Sequence, residues 1–86
     1  MNVQDLETKV WEIESIRIVV RAGINENVGN YNYRNAAQDT WRVTQLLDNR
    51  IKPKIGGYEV IVIEGNGEEP HGRTILRTLR NSYRRG

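Results

Sequence analysis

A chain of 86 residues has room for one domain, residues 1–86, with a thin core. At this size folding buries only roughly two thirds of the unfolded surface, so association into a homo-oligomer would help it. The charged fraction of 28% and hydrophobic fraction of 37% belong to a folded domain, and a net charge of +2 is small for a strong nonspecific polyanion binder. With no cysteine and one histidine, disulfides, thiolate metal sites and cysteine nucleophiles are excluded, and a zinc site is disfavoured.

The N-terminus, Met1-Asn2-Val3-Gln4-Asp5-Leu6, carries an acid and no apolar run, unlike a signal peptide. The longest apolar run, Val60–Ile63, is far too short to span a bilayer. A cytoplasmic protein without membrane contact is the expectation.

Val3, Leu6 and Val10 fall at helical spacing and predict a short helix over 3–10. From Trp11 the pattern reads as alternation, Trp11 and Ile13 and then Ile16, Ile18 and Val20, with Arg17 and Arg21 pointing to the other face, predicting the first strand. Residues 23–30 are rich in Gly and Asn and read as a loop, after which Tyr31-Asn32-Tyr33 is expected to hairpin with that strand. Asp39 or Thr40 is placed to cap a helix with Val43, Leu46, Leu47 and Ile51 on its buried face, stopped by Pro53 and turned by Gly56-Gly57. The run Val60–Ile63 predicts a central strand covered on both faces. Finally, Ile75, Leu76, Leu79 and Tyr83 predict an amphipathic helix over 73–84.

The expected fold is therefore α/β or α+β: a small two-layer sandwich in the order (α)-β-(β)-α-β-α, with two helices on one narrow sheet. Strand, helix and strand in succession suggest a right-handed crossover, and so narrow a sheet leaves an edge free for β-addition.

The segment 70–86 contains Arg73, Arg77, Arg80, Arg84 and Arg85 and no acid. The first four recur at intervals of four, three and four, so one helix would carry them as a single stripe suited to phosphates or an acidic protein surface. The same pattern also describes an ordinary solvated face. Upstream, the string from Gly67 to Thr74 has the spacing of a phosphate-binding loop with Arg73 in place of the lysine. Glu68 and Glu69 inside it would repel a triphosphate, and no later strand remains to supply a magnesium-binding aspartate. A weaker reading keeps the helix start, with Gly72, His71 and Arg73 nearby, as a site for a single phosphate or carboxylate.

Ser15 and Ser82 lie in no nucleophile motif, His71 lies in a polar loop, and the pairs Glu12/Glu14 and Glu68/Glu69 read as solvated charge. Trp11 is assigned to the core and Trp41 to a partly exposed position. The expected function is non-enzymatic and without cofactor or metal: a module binding a protein partner, as adaptor, small inhibitor or assembly subunit. The alternative is nucleic-acid or nucleotide recognition through Arg73, Arg77, Arg80 and Arg84 with His71 and Gly72.

Overall fold

Helix α1, Val3–Glu14, begins where Asn2 accepts a 2.8 Å hydrogen bond from the Asp5 amide, and ends at Ser15 in the left-handed region (φ 58°). It is longer than the spacing of Val3, Leu6 and Val10 suggested, and it takes in Trp11 and Ile13, which are therefore not strand residues. The buried stripe runs on from Val10 to Glu14, so the helix's last inward position is a carboxylate and the apolar pattern stops one turn early. The first strand, β1, is confined to Arg17–Val20.

The computed structural model describes residues 1–84. Tyr31–Tyr33 forms no strand; the chain from 21 to 42 is irregular apart from an isolated bridge at Asn27 and another at Arg42. Next comes a continuous helical path. It starts in α2, Val43–Leu46, where Gln45 Oε1 accepts from the Arg42 amide at 2.9 Å, so neither Asp39 nor Thr40 is the cap. A π turn follows at Leu47–Ile51, and then α3, Lys52–Ile55. Pro53 does not stop this helix. Having no N–H, and with a ring that would strike the carbonyl four residues back in a regular α-helix, it is accommodated by the wider turn, in which the Lys52 amide bonds the Leu47 carbonyl.

Strand β2, Val60–Ile63, pairs antiparallel with β1 in the register Ile18↔Val62 and Val20↔Val60. The expected parallel crossover is therefore not what joins these two strands. The irregular segment and the helical path together bring the chain back to the end of the sheet where β1 finished, so that Val60 pairs with Val20. Only Val62 of β2 is buried, so the expected covering on both faces is not found; Val60, Ile61 and Ile63 are half-buried. The last helix, α4, is Leu76–Ser82, shorter than the spacing suggested. Gly65 lets the loop after β2 lie against its end: a Cβ there would meet the Ser82 carbonyl oxygen at 1.8 Å.

The described fold is thus α+β, with three helical stretches around a two-stranded antiparallel sheet. Val3, Leu6 and Val10 from α1, Ile18, Val20 and Val62 from the sheet, Leu46 and Ile51 from the long helical path, and Leu76 and Leu79 from α4 form its core. Among the described residues no helix is long and apolar enough to cross a membrane.

Candidate functional site

The four arginines do not share one exposed face. Arg73 precedes α4, Arg77 and Arg80 lie on it, Arg84 follows it, and Arg85 lies outside the described residues. Arg80 turns inward, its side chain 13% exposed. Its Nε donates to the Glu14 carbonyl at 2.8 Å, its Nη2 to Glu14 Oε1 at 3.0 Å, and its Nη1 to both Asp39 Oδ1 (2.7 Å) and the Ala37 carbonyl (2.8 Å). Arg73, Arg77 and Arg84 remain exposed, Arg77 standing 4.0 Å from Asp39.

At the start of α4 two of the first amides are already taken. The Leu76 N–H donates to the Trp41 carbonyl (2.8 Å) and the Arg77 N–H to that of Asp39 (3.1 Å), so backbone of the preceding segment occupies positions a phosphate would need. His71 is exposed, and its Nδ1 accepts from the Arg73 amide at 3.1 Å. The Gly72 carbonyl accepts from Thr44 Oγ1, and a Cβ at Gly72 would meet that oxygen at 2.6 Å; this glycine is a packing contact with α2. The string from Gly67 to Thr74 is therefore not built as a phosphate cradle. Its first residues form a tight turn, the Gly67 amide bonding the Glu64 carbonyl and the Glu64 amide that of Glu68.

Sequence reasoning missed Glu14, which it read as solvated charge. The residue is fully buried. Oε1 accepts from the Ala37 amide (2.8 Å) and Arg80, and Oε2 from the Tyr31 hydroxyl (2.6 Å) and Arg50 Nη1 (2.6 Å), which fills the four acceptor positions of a carboxylate. The π turn presents Arg50, whose Nη1 also reaches the Asn35 carbonyl at 2.8 Å and whose guanidinium stacks on Tyr33 at 4.3 Å from the ring centre. Burial works against the Arg50 charge, but the hydrogen bond and field of Glu14 outweigh it and hold its pKa above the ordinary value. Burial, reinforced by Glu14, pushes the Tyr31 phenol well above its own. Every partner is satisfied, so this cluster is built to hold chain segments together. The signal was present: from Val10 the inward positions of α1 continue to Glu14.

Also missed was an exposed apolar patch where α1 meets the strand pair. Val19 is 43% exposed and Trp11, expected in the core, is 39% exposed. Ile61 and Ile63 on β2 are half-buried beside them. Arg17 lies over the Trp11 ring at 5.0 Å, and Tyr83 meets that ring edge-on at 5.4 Å. The Tyr83 hydroxyl accepts from the Arg17 amide and donates to the Ile63 carbonyl, closing that end of the strand pair. Together Glu7, Trp11, Arg17, Val19 and Ile63 line a shallow groove of about 530 Å³. The edge of the sheet is less available than its face: Glu7 Oε2 accepts from the Val20 amide at 2.9 Å on the free side of β1, and Val62 is 1% exposed. The alternation of Arg17, Val19 and Arg21 was the signal for this patch.

Among the described residues no three His, Asp or Glu side chains come together as a metal site would need. No protein-family model, no curated protein and no solved structure matches the chain.

Proposed function

We propose that this chain is a non-enzymatic, single-domain cytoplasmic binding module, an adaptor, small inhibitor or assembly subunit, that takes a protein partner on the outer face of the β1–β2 sheet. In this reading the helices are layered on one side of the narrow sheet and the other side is the working surface. The observation supporting it is the exposed apolar row of Trp11 and Val19 with Ile61 and Ile63 beside it. Removing such side chains from water contributes about 25 cal/mol per Å², and Trp is favoured at the centres of interfaces. The alternative, nucleic-acid or phosphate recognition by Arg73, Arg77, Arg80 and Arg84, is weakened by the engagement of Arg80 with Glu14 and Asp39.

A photoreactive benzophenone side chain placed at Val19 or at Arg77, one at a time, distinguishes the two in cells that make the protein. We expect protein adducts through position 19 that disappear when Ile61→Asp is added. An adduct at twice the chain's mass would identify a second copy as the partner. Adducts to nucleic acid through position 77, with none through 19, would contradict the proposal.

A further inference from the structure

The stretch 32–38 lies in the middle of the irregular segment 21–42. It has no helix or strand, and only Ala37 is buried, with Tyr33 half-buried. Among the described residues the Ala37 amide is the one N–H of the stretch that donates to a protein group, and its acceptor is the Glu14 carboxylate. Further contacts hold it: the Asn35 carbonyl on Arg50, the Ala37 carbonyl on Arg80, the Gln38 carbonyl on the Trp41 amide, and the Tyr33 ring between Arg50, Lys54 and the edge of Tyr31. Both ends are fixed by contacts outside the stretch. Tyr31 is 1% exposed with its hydroxyl on Glu14, and the carbonyls of Asp39 and Trp41 bond the first amides of α4.

We propose that residues 32–38 form a strap clasped by the Glu14–Arg50–Arg80 cluster, and that it opens as a unit while the rest of the chain stays folded. Opening exposes far less apolar surface than global unfolding, because it releases one buried side chain, Ala37, and the half-buried Tyr33 ring, while the rest of the core stays closed. It exchanges a few hydrogen bonds for water and regains the backbone freedom of seven residues, which places it at the low-stability end of the fold. Tyr31 and Asp39 remain as hinges. The guanidiniums keep Glu14 and lose the carbonyls of Asn35 and Ala37, so the open state presents Arg50 and Arg80 on one side of the molecule.

Amide hydrogen exchange of the full chain, followed residue by residue by NMR at rising sub-denaturing urea, tests this. Ala37 should exchange roughly tenfold or more faster than Val10 and Val19 relative to their unfolded rates, with almost no dependence on urea, because local opening exposes little surface. Tyr33→Ala should speed Ala37 exchange several-fold and leave it independent of urea. If Ala37 instead follows the urea dependence of Val10 and Val19 and shares their opening free energy, the strap does not open separately and the proposal fails.

Discussion

Arg77 and Arg80 stand three residues apart on the same short helix and meet opposite environments. Arg77 is 59% exposed and approaches Asp39 at 4.0 Å; Arg80 is 13% exposed and donates to Glu14, Ala37 and Asp39. A solvated guanidinium at that distance gains little from its partner, because water screens the attraction and the side chain must give up rotamer freedom. An enclosed guanidinium is committed: without its carboxylate it would be a buried, uncompensated charge. A regular spacing of arginines thus says where charge lies along a helix, while the carboxylate on the facing element decides which of those charges is structure and which is surface.

The largest expected effect comes from removing that carboxylate. Glu14→Ala strands two guanidiniums and the Tyr31 hydroxyl at once and should lower stability by about 3–5 kcal/mol, measured by urea unfolding. A loss below about 1 kcal/mol would mean that the cluster is far less committed than the comparison holds.

A smaller effect is expected from alkali. Burial first, and Glu14 second, raise the Tyr31 phenol above its ordinary value, so the folded chain keeps a proton that the unfolded chain releases near pH 10. The unfolded state then binds fewer protons, and stability, intact below about pH 10, falls as pH rises beyond it. Burial raises Tyr83 as well, so Tyr31→Phe should flatten this fall without abolishing it, as unfolding midpoints from about pH 8 to about pH 11 would show. An unchanged slope in Tyr31→Phe would detach Tyr31 from the cluster.

Much of the fold was legible where apolar spacing carries it. The beginning of α1, the position of β2 and the inward residues of α4 follow from Val3, Leu6 and Val10, from Val60–Ile63, and from Leu76 and Leu79. The misreadings share one cause: contacts between residues distant in sequence. Glu14 looks like surface charge until Arg80, 66 positions away, is brought against it. Trp11 and Ile13 look like the start of a strand because the helix's next inward residue is an acid. Pro53 reads as a stop, yet a π turn carries the helix through it. The partial exposure of Ile61 and Ile63 was hidden because a run of four β-branched residues has the same pattern whether its outer side is covered or bare.

The most direct test of the contrast between the two arginines is urea unfolding of Arg80→Met and Arg77→Met side by side. Both changes remove one positive charge from α4 and keep an unbranched side chain suited to a helix. We expect Arg80→Met to lose about 3 kcal/mol or more, and Arg77→Met to stay within about 0.5 kcal/mol of the parent. Equal losses, or a larger loss at Arg77, would contradict the division of the arginines into a structural and a solvated class.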